Sequence, residues 1–147
     1  MLQLNFQLLP ETLFISINLI DRYLSEQQVP IDKLQLLGVT SMFIAAKFQE
    51  IYPPVLSDFV TCANGIYKDK ELLAMEFKVL TVVKFDVNCT PSQTFLENYS
   101  RAIRVNVPRV LIYASYLLDL SLLKAEFLSI ETSHLTLCAL SIAIRRE

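Results

Sequence analysis

Few side chains in this chain of 147 residues are of the types that make and break bonds at an active centre. There is one histidine, His134, on a stretch whose spacing predicts a helix. A lone His in that setting reads as a surface or satisfied core residue. The two glycines, Gly38 and Gly65, cannot build a Gly-rich loop that cradles phosphates. Cys62, Cys89 and Cys138 stand far apart and are odd in number, which argues against a disulfide framework and against a zinc site. They are expected to be small buried thiols in a reducing compartment. No Cys-x-x-Cys or His-Glu-x-x-His spacing occurs, and no pair of carboxylates falls in a cleft-forming pattern. The expectation is a chain that is no enzyme and uses neither cofactor nor metal.

What stands out instead is charge among apolar neighbours. Lys47 lies in the run FIAAKF, sharing a helical face with Phe43, Ile44 and Ile51. Glu76 lies in LLAMEFKVL, on the stripe of Leu72, Val79, Leu80 and Val83. Burying an unpaired ammonium or carboxylate costs several kcal/mol, so each needs a partner or an edge. A cation on one core helix and an anion on another predict a mutual pair. That pair is either an ordinary interhelical salt bridge, with the lysine snorkelling to water, or the rim of a docking surface. In the second case Lys47, with three donors and no acceptor, reaches a partner's backbone carbonyls.

The elements that must position these residues are helical. Apolar side chains make up 53% of the chain and charged ones only 19%, so either nearly every element is buried or apolar surface is kept for a partner. Apolar residues recur at Leu13, Ile17, Ile20 and Leu24, one face of a helix that Pro10 can open and Pro30 ends. The stretch from about Ile31 to Gln49 is apolar on all sides and predicts a central buried helix, stopped by Pro53-Pro54. Further helices are predicted over about 55–63, 68–84, 91–103, 108–123 and 130–145, seven in all and no strand. Thr90 is expected as the N-cap of the fifth, with Pro91 in its first turn and Gln93 completing a capping box. The net charge is −2 with no basic run, which speaks against nucleic acid. No uncharged stretch reaches the length of a membrane span, and the first charged residue, Glu11, leaves no basic leader.

Three runs, PETLFISINLIDRYLS, KLQLLGVTSMFIAAKFQEIYPP and YKDKELLAMEFKVLTVVKFDV, closely resemble the cyclin box of A- and B-type cyclins, and GVTSMFIAAKF leans toward the B type. TPSQTFLENYSRA resembles the opening helix of a second box. The resemblance implies an all-α cyclin fold. Residues 1–88 would form a first box lacking most of its opening helix, and 89–147 part of a second box. It implies a regulatory subunit that binds and activates a cyclin-dependent protein kinase in the mitotic cell cycle, in nucleus and cytoplasm. The kinase-binding positions would be Lys47, Glu76, Phe48, Glu50, Ile51 and Phe85. For Phe48 and Phe85, plain core packing is the competing expectation.

The sequence also departs from the family pattern. No Trp occurs, and the family's opening segment is missing, so only Leu34 and Gln35 match the groove that docks substrates and inhibitors. The missing helix is expected to leave apolar surface bare. Gln49 stands where the family usually has an acidic residue. The chain reads as truncated at both ends, and a shortened scaffold of cyclin fold that activates nothing is the alternative. A DNA-touching relative of the transcription machinery is disfavoured by the charge.

Overall fold

The computed structural model describes residues 2–147, which form eight α-helices and one 3-10 helix with no strand among them. In order these are α1 (Leu2–Phe6), α2 (Pro10–Glu26), α3 (Ile31–Gln49), α4 (Leu56–Cys62), α5 (Asp69–Val82), α6 (Ser92–Ala102), α7 (Pro108–Ser121), the 3-10 turn Ala125–Ser129, and α8 (Thr132–Arg146). They fall into two compact units, Met1–Cys89 and Thr90–Glu147.

In the first unit α3 packs against α2, α4 and α5. Its residues from Leu36 to Ala46 are buried on every side except at Gly38, as expected of a helix apolar all round. Phe59 of α4, fully buried, stacks edge-on to Phe43 at 5.2 Å between ring centres. The helix starts are built from local chemistry. Pro10 and Pro108 sit in first turns, where the missing N–H costs nothing. Asp58 and Glu71 reach back to accept the N–H groups of Val55 and Lys68. In the second unit α6, α7 and α8 pack on one another around Leu96, Ala114, Leu118 and Leu140.

Four expectations are corrected. The residues before Pro10 form α1, and Leu2 and Phe6 pack on the core, with the Phe6 ring 5.0 Å from that of Phe59. That end of the unit is therefore covered in part. A 3-10 turn precedes α8, whose start moves from 130 to Thr132. Thr90 is no cap: α6 opens at Ser92 with Pro91 as its N-cap residue, and the Gln93 amide bonds Ser115 of α7 instead. Cys138 is exposed and Cys62 and Cys89 half-buried, so the thiols are free but not core residues. On α8 the buried line is Thr136, Ala139, Leu140 and Ala143, which leaves position 138 off the core face.

Candidate functional site

Lys47 and Glu76 meet. The Lys47 ammonium donates to Glu76 Oε1, joining the last turn of α3 to the middle of α5. The two partners differ in exposure: the Glu76 side chain is 11% exposed and that of Lys47 42%. Glu76 is thus a buried acceptor held among Leu72, Met75 and Val79, and its cost is offset by the cation. Lys47 spends one donor on Glu76 and lies 4.2 Å from the centre of the Phe43 ring. Its exposed side keeps donors for an acceptor outside the unit. The pair is an interhelical salt bridge, and its lysine lies at an edge open to solvent.

Two aromatic residues, Phe48 next to Lys47 in the chain and Phe85 after the end of α5, face water. Phe48 is 52% and Phe85 63% exposed, and neither belongs to the buried core, which rules out core packing for both. Ile51 at 87% and its neighbour Tyr52 at 93% are exposed as well. Leu34 and Gln35, near the start of α3, are also exposed, Leu34 at 41%.

Phe85 is held there by an unusual turn. α5 stops at Val82, two residues short of the expected Lys84, because Lys84 and Phe85 both adopt left-handed backbone, φ +56° and +59°. Left-handed backbone is costly for side chains larger than glycine. The Phe85 N–H closes back on Leu80 O at 2.7 Å. Arg22 of α2 clamps the turn from outside, donating to Asp86 O at 2.7 Å and Val83 O at 3.3 Å, with the Asp86 carboxylate 3.9 Å away. Arg22 escaped the sequence reading. It sits in the DRYL run of α2, and nothing in the sequence links it to a turn sixty residues on.

Glu50 makes contacts within the unit. Its Oε1 accepts from the Leu9 N–H at 2.8 Å and the Thr12 hydroxyl at 2.5 Å. The carboxylate therefore caps the start of α2, where a negative charge meets free N–H groups and the helix dipole. This position works first as an internal brace, and Thr12 is fully buried beneath it.

Among the described residues none of the remaining titratable groups gathers into a reactive constellation. His134 is exposed, 3.6 Å from Glu131. Burial pushes the Cys89 thiol up, opposed by Arg22 and reinforced by Asp86, which favours the unreactive protonated form. Among the described residues no group of three His, Cys, Asp or Glu side chains could hold a metal ion, and no helix is long and apolar enough to cross a membrane.

Comparison with known proteins gives this geometry a family. Residues 1–88 match the family model described as cyclin, N-terminal domain. G2/mitotic-specific cyclin-B3 of Drosophila melanogaster is 38% identical over 143 residues, covering 97% of this chain and 25% of the relative. G2/mitotic-specific cyclin-B of Hydra vulgaris is 38% identical over 143 residues, covering 97% of this chain and 39% of the relative. The chain thus spans 25% to 39% of the length of these two relatives. Among solved structures, a viral cyclin from herpesvirus saimiri superposes with a TM-score of 0.89 at 21% identity, over 99% of this chain and 65% of that one. A chain of the CAK complex from Chaetomium thermophilum bound to ATP-gamma-S does so with a TM-score of 0.75 at 19% identity, over 98% and 48%. These two likenesses show the fold, and with the family match over more than half of its length the chain belongs to the cyclin family.

Proposed function

We propose that this chain is the kinase-docking part of a regulatory subunit that binds and activates a cyclin-dependent protein kinase in the mitotic cell cycle, acting in nucleus and cytoplasm and carrying no catalytic group of its own. The observation that supports it most is the Lys47–Glu76 pair: a buried anion fixes a half-exposed cation at an edge open to solvent, next in the chain to the exposed Phe48. A cation so fixed has lost its side-chain freedom before a partner arrives, which lowers the entropy cost of docking. Its spare donors suit backbone carbonyls of the kinase, and Phe48, Ile51 and Phe85 suit apolar contacts around them.

The mechanism is a population shift. A protein that binds the active kinase conformer more tightly than the inactive one moves the equilibrium by that difference and by no more. The conformer favoured is the one in which the kinase's own Lys–Glu pair is assembled on its mobile helix. The relatives are named for G2 and mitosis, which is the support for that timing here.

The test is affinity. Binding to a purified cyclin-dependent kinase is measured for the parent and for Lys47→Met/Glu76→Gln, a pair that removes both charges while leaving no buried ion alone. The reading requires binding by the parent and its loss in a folded variant. Equal affinity for both proteins would end it. A kinase assay then separates activation from mere attachment: a complex that forms without raising phosphorylation assigns the chain to the non-activating scaffold.

A further inference from the structure

We infer that a cleft between α2, α3 and α5, on the side of α5 away from Glu76, is a second docking site, and that it takes a partner's peptide segment in which a large apolar side chain stands next to a carboxylate. The cleft lies within the first unit and holds about 310 Å³. Its floor is core: Tyr23, Leu36 and Met75 line it and are buried. Its rim is charged, with Lys33, Glu71 and Lys78. An apolar floor under a few polar groups, at the small end of the usual volumes, is how binding pockets are built.

Two donors of this cleft have no partner. Tyr23 closes the buried line of α2, after Thr12, Ile15, Ser16 and Leu19. Packing there asks only for a ring, which phenylalanine would supply. The tyrosine is 7% exposed, yet its hydroxyl bonds to nothing among the described residues. The side-chain atoms that are both sealed and unpartnered are Asn18 Oδ1, Thr40 Oγ1, Ser41 Oγ and Ser92 Oγ. The Tyr23 hydroxyl is not one of them, so it keeps contact with the outside, and the space that Tyr23 lines is this cleft. Lys78 is the other free donor. Glu71 is already engaged: its Oε2 accepts the Lys68 N–H at 3.0 Å, and its Oε1 lies 3.9 Å from Lys33. Lys78 is exposed and has no carboxylate partner among the described residues. Two lysines and one glutamate give the lining a net charge of +1, in a chain whose net charge is −2.

These donors choose the occupant. A phenol O–H and an ammonium both require an acceptor, and the ammonium favours an anionic one. No guanidinium lines the cleft, so the planar fork that grips a phosphate is absent, and one free ammonium suits one carboxylate. The buried floor calls for an apolar group on the same ligand. Glutamate or aspartate beside leucine or phenylalanine in an extended peptide carries both. The site is separate from those above. At about 100° per residue, Glu71, Ala74 and Lys78 fall on one flank of α5 and Glu76 on the other. By the same geometry Lys33 and Leu36 lie on the opposite side of α3 from Leu34 and Gln35. Lys33 and Lys47 are about 20 Å apart along the axis of α3, so a peptide in the cleft leaves the Lys47–Glu76 pair uncovered.

The probe is an amidated synthetic peptide with Leu-Phe between flanking glutamates, and its controls carry glutamine or lysine in their place. Each is titrated into the full chain labelled with nitrogen-15, amide shifts are followed by NMR, and circular dichroism checks the fold of each variant. The glutamate peptide should give saturable shifts at Tyr23, Ala74 and Lys78. The glutamine peptide should bind about tenfold more weakly, and the lysine peptide not at all. Tyr23→Phe, which keeps the ring, should weaken the glutamate peptide about fivefold, and Lys78→Gln about tenfold. Lys47→Met/Glu76→Gln should bind it as the parent does. The inference is overturned by the absence of saturable shifts at those three amides, or by shifts centred on Leu34 and Gln35. Equal affinity for the glutamate and glutamine peptides overturns it too, as does parent affinity in both Tyr23→Phe and Lys78→Gln. If the parent sediments as a dimer that Tyr23→Phe/Lys78→Gln breaks, the cleft holds a second copy and the partner peptide is overturned.

Discussion

Lys47 and Glu76 show how much one unequal pair can say. Glu76 is the buried partner, so removing Lys47 alone strands a carboxylate among Leu72, Met75 and Val79. Lys47→Ala is therefore expected to cost about 1–3 kcal/mol of stability, measured by urea unfolding, beyond any loss of binding. Lys47→Met/Glu76→Gln should regain most of that stability and none of the affinity. Glu50 has an internal role that the resemblance did not supply: its Oε1 accepts from the Leu9 N–H and the Thr12 hydroxyl. Glu50→Ala should lower stability by about 1 kcal/mol and speed amide exchange at Leu9, and a stability unchanged in urea would refute the capping role. The pair was legible from the sequence because an ion in an apolar run is costly wherever it lies. The cap was not, because its two ends are some forty residues apart and join only through the fold.

At the scale of elements, the helices read well from periodicity and the turns read badly. Seven helices follow from the spacing of apolar residues and from Pro10, Pro30, Pro53 and Pro108. The central place of α3 follows from its being apolar on every side. Missed was the end of α5, where Lys84 and Phe85 turn left-handed. Turns of that hand are signalled by glycine or asparagine, and neither stands there. The turn is held from outside by Arg22. Replacing Lys84 with glycine should relieve the backbone and raise stability by about 0.5 kcal/mol after the entropy glycine adds to the unfolded chain, with kinase affinity kept. A loss of stability in Lys84→Gly would show that the turn is unstrained. Thr90 failed as a cap for a related reason: Gln93, which should have closed the box, has a better partner in Ser115.

At the scale of the molecule, the two units are unequally built. The large contiguous core, from Leu8 to Val83, belongs entirely to the first unit. The second leaves Ile112, Tyr116, Leu123, Leu128, Leu137 and Ile142 exposed. Amide exchange should accordingly be slower in α3 than in α7 and α8. Equal protection in all three would contradict that ranking. Half-buried Asp21 in the first unit and exposed Asp119 in the second each have a carboxyl that partial desolvation pushes above the ordinary value of 3.8. A raised carboxyl favours the fold below 3.8 and loses that contribution as pH rises through its folded value. Asp21→Asn should then melt above the parent at pH near 7, with the gain fading as the solution is acidified toward the ordinary carboxyl range. A gain independent of pH would assign it to packing instead. The central claim, that a buried glutamate holds a lysine ready for a kinase, is tested most directly by the affinity of the parent chain and of Lys47→Met/Glu76→Gln for a purified cyclin-dependent kinase. The account predicts a parent that binds and an equally folded variant that does not, and a variant that binds as tightly as the parent contradicts it.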